Sequence, residues 1–179
     1  MISLVLITYR PVYSVNLDGK ELGFVISKSA LQKEINNYIQ YGDSENVGYI
    51  LLNESPKYEF KLAKKEIPTK EEAIFATIKD SCEVYYRVYV IQVDGKDYGI
   101  AENLATAQEI IDKVNEQQDK YSEKAQLTIY EKYEKEYNAI DNIEVSVAEI
   151  FEPIKAENDK IIKINNGKMY LIDFSEEMI

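Results

Sequence analysis

The segment Val12-Tyr-Ser-Val-Asn-Leu-Asp18-Gly19-Lys20-Glu-Leu-Gly23 recurs 76 residues later as Val88-Tyr-Val-Ile-Gln-Val-Asp94-Gly95-Lys96-Asp-Tyr-Gly99. Six of the 12 positions are identical. A repeat at this interval constrains the fold more than any other feature, because one supersecondary unit must be built twice. The same interval relates Gln32 to Gln108 and Ile35 to Ile111.

Each copy carries a physical plan. An apolar or alternating run leads to Asp-Gly, a pair that tolerates positive φ and favours a two-residue hairpin turn. A short return strand follows, with Gly23 or Gly99 inside it, which suggests a bulge or a close backbone approach. A helix comes next. In the first copy Ser27 or Ser29 can cap it, and Leu31, Ile35, Tyr38 and Ile39 share one face before Gly42 stops it. In the second copy Asn103 can cap, and Ala107, Ile111 and Val114 form the stripe. Residues Val47 to Asn53 and Tyr58 to Lys64 predict two strands. Residues Ala125 to Tyr137 predict one long strand or a hairpin. Thr69-Lys-Glu-Glu72 and Asp141-Asn-Ile-Glu144 have capping-box spacing and predict a second short helix in each copy. Apolar Ile74, Phe75 and Ile78 follow the first box; Val147, Ile150 and Phe151 follow the second.

The expected fold is therefore α+β: two tandem β-β-α-β-β-α modules, with antiparallel hairpins packed on helices. The modules are expected at 1–82 and 83–152, and Glu83 to Val93 could form one long strand. A tail at 153–179 follows, because Pro153 is expected to end the last helix. Ile161 to Ile172, with Asn166-Gly167 at its centre, predicts a C-terminal hairpin. It is either an unrelated closing hairpin or the start of a truncated third copy, since Asn166-Gly167-Lys168 matches Asp-Gly-Lys. At the other end, Ile2 to Tyr9 is too short for a membrane span and a poor signal peptide. It reads as a first strand or as the outer end of a membrane anchor that begins upstream.

Composition narrows the chemistry. The chain has 179 residues, of which 45% are apolar, enough for a packed core. Asp and Glu number 32 against 21 Lys and Arg, a net charge of −11. A surface that acidic repels phosphate backbones and argues against nucleic-acid binding. There is no histidine, and Cys82 is the one cysteine. The usual general base and the commonest zinc ligand are thus missing, and an intrachain disulfide is impossible.

The two Val-Tyr…Asp-Gly-Lys…Gly segments with their helices, together with Tyr58-Glu-Phe-Lys-Leu…Ile67-Pro-Thr-Lys-Glu-Glu-Ala73 and Tyr85-Tyr-Arg-Val-Tyr89, resemble a known module. Similar tandem segments lie just outside the membrane anchor in exported cell-wall hydrolases of Gram-positive-type bacteria. There they precede a lysostaphin-type zinc metallopeptidase domain. The resemblance covers roughly residues 9 to 152. The peptidase holds zinc through His and Asp, and this chain has no His, so no catalytic residue carries over. The resemblance implies a non-catalytic extracytoplasmic accessory, spacer or positioning module, with peptidoglycan or a hydrolase domain as partner. The alternative expectation is a free-standing cytosolic or phage-like binding protein built from the same module.

No catalytic, cofactor or metal site is expected. Glu71, Glu72, Glu131, Glu134 and Glu136 fall in helix starts and charged runs, where a solvated face is the plain reading. Cys82 lacks a histidine to activate it. The sequence singles out a structural signature, Asp18, Gly19, Lys20 and Gly23 with Asp94, Gly95, Lys96 and Gly99. It also offers one interaction surface, Tyr85, Tyr86 and Tyr89, since tyrosine can stack on sugars or anchor an interface. Lys61, Lys64 and Lys65 form the densest basic spot and could meet an anionic polymer or blunt an edge strand.

Overall fold

The computed structural model describes residues 8–121 and 123–165. Contacts divide the chain into two units, Met1–Tyr86 and Arg87–Ile179. Both are α+β, with antiparallel strand pairs.

In the first unit β1 (Tyr9–Leu17) pairs with β2 (Lys20–Val25) on one side and β4 (Lys57–Lys64) on the other. Helix α1 (Lys28–Tyr41) follows β2, and α2 (Glu71–Asp80) follows β4. Alternation along β1 and β2 puts Val15, Leu17 and Val25 on one face. Leu31 and Ile35 of α1 and Ile74 and Ile78 of α2 close over it. Each such side chain contributes about 1.5–3 kcal/mol on burial. Strand β3 (Val47–Leu52) lies between α1 and β4 in sequence and pairs with Cys82–Tyr86.

Those five residues open β5 (Cys82–Val93), whose later part pairs with β6 (Lys96–Ala101) in the second unit. Helix α3 (Leu104–Gln118), strand β7 (Leu127–Glu134), which also pairs with β5, and helix α4 (Ile143–Asn165) complete it. Ile91, Val93 and Ala101 pack there under Ala107, Ile111 and Val114 of α3 and Val147, Ile150 and Phe151 of α4.

The two hairpins have the same register throughout. Tyr13↔Val25, Val15↔Gly23, Asn16↔Glu21 and Leu17↔Lys20 recur as Tyr89↔Ala101, Ile91↔Gly99, Gln92↔Asp97 and Val93↔Lys96. Both turns have positive φ at both central residues, 51° and 74° at Asp18-Gly19 and 50° and 78° at Asp94-Gly95. That is the mirror-image turn whose twist suits a two-residue hairpin. Both return strands carry one extra residue, Leu22 or Tyr98, at a bulge. The outer edges are also met alike: the Lys70 N–H donates to Phe24 O at 3.1 Å, and the Ile140 N–H to Ile100 O at 2.8 Å.

Several expectations need correction. The stretch from Ala125 to Tyr137 takes the single-strand alternative, β7, so among the described residues the second unit runs β-β-α-β-α and repeats the first unit's layout roughly, with no counterpart of β3. Pro153 does not end the last helix. Helix α4 continues through it to Asn165, so the first arm of the expected C-terminal hairpin, Ile161 to Asn165, is helical. Buried Val147, Ile150, Phe151, Ile154 and Asn158 keep a helical spacing across the proline, and that stripe holds the helix on its core. The rest of the hairpin, and Ile2 to Ile7, lie outside the described residues.

The caps divide. Ser27 accepts from the Ala30 N–H at 3.2 Å and Asn103 from the Thr106 N–H at 2.8 Å. Gly42 closes α1, its N–H donating to Tyr38 O at 2.8 Å. Neither capping box forms. Helix α2 has no side-chain cap, because the residue at its cap is Lys70, whose ammonium cannot accept; the Lys70 N–H is taken by β2, and the Glu71 carboxylate accepts from the Ile26 N–H at 3.0 Å. At α4 it is Asn142, not Asp141, that accepts from the Val145 N–H, at 3.1 Å.

Candidate functional site

The signature residues serve the hairpins. Asp18-Gly19 and Asp94-Gly95 make the turns, and Lys20 and Lys96 open the return strands in exposed positions. Gly23 and Gly99 both lie under an isoleucine. A methyl group on Gly23 would meet Ile74 Cδ1 at 3.5 Å, and one on Gly99 would meet Ile140 Cδ1 at 2.9 Å. Their backbones differ, however. Gly23 has φ 143°, whereas Gly99 lies outside the positive region.

The carboxylate after each turn is held in place. Glu21 accepts from the buried Ser14 hydroxyl at 2.7 Å and from Lys61 Nζ at 3.2 Å, and these two bonds hold its carboxyl below the ordinary value. Asp97 accepts from Gln92 Nε2 at 2.8 Å and from the Tyr130 hydroxyl at 2.9 Å, with the same effect. At the first turn a hydrogen bond in which Asp18 donates and the Glu54 carboxylate accepts raises the Asp18 carboxyl and lowers Glu54. The second turn has a backbone contact there instead, the Gln126 N–H donating to Asp94 Oδ1 at 2.8 Å.

Tyr85, Tyr86 and Tyr89 lie along one strand. All three are half-buried on β5, where alternation sends Tyr85 and Tyr86 to opposite faces. Tyr85 stacks on Tyr49 with ring centroids 4.5 Å apart, while Tyr89 packs against the core of the second unit. Tyr130, Tyr133 and Tyr137 donate to Asp97, Glu131 and Glu102. Lys61 is bridged to Glu21 and Glu59. Burial pushes the Cys82 thiol up, and its Sγ lies 3.4 Å from Ile78 O.

Glu71 and Glu72 separate as well. Burial pushes Glu71 up, but hydrogen bonds from the Ile26 N–H, its own N–H and Thr69 outweigh this and leave it low. Glu72 is exposed and faces a groove between α1 and α2. Among the described residues no cluster of three or more His, Cys, Asp or Glu side chains could hold a metal ion.

That groove has a volume of about 620 Å³. Tyr38, Tyr41 and Phe75 form its walls, and Glu34, Asp43, Glu72 and Lys79 lie around them. Tyr38 and Phe75 meet edge to face with centroids 6.2 Å apart. Lys79 is paired with Asp43 and sits 5.0 Å over the Tyr38 ring. Tyr41 is 70% exposed. The sequence placed Tyr38 on the core stripe of α1 and did not foresee the groove. The available signal was the repeat itself, which aligns Glu34 with Ile110 and Tyr38 with Val114.

The second unit has a smaller cleft of about 350 Å³ beside its turn, near Asp94, Lys96, Lys124 and Glu157. Among the described residues no helix is long and apolar enough to cross a membrane. The chain matches no protein-family model, no curated protein and no solved structure.

Proposed function

We propose that the chain is a non-catalytic extracytoplasmic module that positions or holds a cell-wall hydrolase, acting through peptidoglycan or through the hydrolase domain. The observation that carries this reading is the duplicated hairpin, identical in register, turn and bulge. Duplication has kept the frame while the ionisable groups around it diverged, as where Glu34 corresponds to a buried Ile110. Such a pattern suits a scaffold that displays surfaces; a reaction would need one fixed set of groups. The absence of histidine from the sequence and the raised Cys82 thiol point the same way.

Sedimentation of the purified chain with peptidoglycan, at low and high salt, tests the wall-directed part. Recovery in the pellet at both salts is expected. A chain that stays in the supernatant throughout, and that cell fractionation finds in the cytosol, contradicts it. The second reading is a free-standing cytosolic or phage-like binding protein. The open α1–α2 groove favours it, since a recess walled by aromatic rings can hold a ligand without any wall contact. The same fractionation separates the two.

A further inference from the structure

The two units answer the same packing problem differently at one place. In the second unit α3 and α4 meet through Ile110, Val114, Val147 and Phe151, all buried. At the corresponding positions of the first unit stand Glu34, Tyr38, Phe75 and Lys79, and the helices leave a groove. The second difference concerns charge. Lys113 of α3 bridges Glu144 and Glu109. Its counterpart is Asn37, so Glu72, the counterpart of Glu144, lacks that ammonium. The first unit therefore has an aromatic recess that lacks the counterpart of Lys113 but carries Lys79 where α4 has Phe151, and Glu34 where α3 has Ile110.

The charge around the recess indicates what it takes. Glu34, Asp43 and Glu72 supply three negative charges, and Lys79 answers only one of them. Lys79 also displays the geometry available, an ammonium 5.0 Å over the Tyr38 ring. Tyr41 presents a second ring that is largely open to solvent. Tyr38, beneath it, is only 8% exposed. We infer that the α1–α2 groove receives a basic peptide segment of a partner protein, its lysine or arginine lying between Tyr41 and the Glu34 and Glu72 carboxylates, with an apolar neighbour against Phe75. This holds under either reading of the function, since it requires only the groove.

The test is a titration of the isotopically labelled full chain with a capped Lys-Leu-Lys peptide, followed by amide chemical shifts. Shifts confined to the groove, at Glu34, Asn37, Tyr41, Asp43, Glu72 and Phe75, are expected, together with weaker binding at higher salt. Removing two groove charges with Glu34→Gln and Glu72→Gln should weaken binding about tenfold, or about 1.4 kcal/mol. Tyr41→Ala should also weaken it. A chain this acidic attracts any cation, so a matched control removes two exposed charges elsewhere, Glu116→Gln with Glu149→Gln, and should leave the affinity within about twofold. Four results overturn the inference: shifts spread over the acidic surface, equal losses from both charge pairs, equal binding of a capped Glu-Leu-Glu peptide, or no shifts at millimolar peptide. All the substituted side chains are exposed, and circular dichroism checks that each variant is folded.

Discussion

Gly23 and Gly99 show how one sequence position can be required for two physical reasons. They share a register position, opposite Val15 and Ile91. At Gly23 the constraint is the backbone, since φ 143° is a conformation that side-chain-bearing residues rarely adopt, while Ile74 leaves ordinary contact distance. At Gly99 the constraint is space, with Ile140 Cδ1 only 2.9 Å from where a methyl group would sit. Gly23→Ala should cost about 1–3 kcal/mol through strain. Gly99→Ala should cost a similar amount, about 1–3 kcal/mol, through overpacking. A double-mutant cycle separates the causes. Ile140→Val removes the clashing Cδ1 and should recover at least about 0.5 kcal/mol of the Gly99→Ala loss, whereas Ile74→Val should recover nothing from Gly23→Ala. Equal coupling in the two cycles, read by urea denaturation, would contradict the distinction.

At the scale of elements, what was legible in the sequence is what local chemistry decides. Asp-Gly between alternating strands, Ser27 and Asn103 before apolar stripes, and Gly42 after one each specify their structure within a few residues. Strand β3 was legible as a strand, but its pairing with the start of β5 depends on a distant segment. The tyrosines of β5 are near in sequence, and strand alternation sends Tyr86 to the face opposite Tyr85. The α1–α2 groove is invisible in one copy, since Tyr38 has the spacing of a core residue; only comparison with Val114 marks the departure. Helix α4 is the case in which a local signal lost to packing. Pro153 has no N–H to give the Glu149 carbonyl, a substantial cost inside a helix. The stripe from Val147 to Asn158 nevertheless carries the helix on. Pro153→Ala should therefore raise stability by about 1–3 kcal/mol, up to the full helix-propensity difference. Helical ellipticity should stay the same, because the helix is already continuous. A gain of ellipticity worth several residues would mean that the wild-type helix stops at the proline.

For the whole molecule, two electrostatic effects compete and have opposite salt dependence. The ion pairs are mostly exposed: Lys57 with Glu54, Lys61 with Glu21 and Glu59, and Lys124 with Asp119 all have side chains at least a third open to solvent. Pairs of this kind contribute about 0–1 kcal/mol each and weaken as salt screens them. Against them stands the repulsion of 32 acidic side chains, offset by only 21 basic ones. Repulsion acts over longer distances and is screened first, since the screening length is already about 10 Å at 0.1 M salt. The excess charge should prevail. Near neutral pH the Tm should rise as potassium chloride increases from about 10 mM to about 0.5 M, through relief of self-repulsion. The sign follows from net charge, so it must change with pH. Toward the isoelectric point, about 4.6, the net charge approaches zero and the gain from salt should vanish. The lowered carboxyls of Glu21 and Asp97 keep their partners above their ordinary values of 4.5 and 3.8, so those contacts fail only at still lower pH. A Tm that falls with salt near neutrality would show that the local pairs outweigh the global field, and a salt gain that persists at the isoelectric point would show that screening of charge is not its cause.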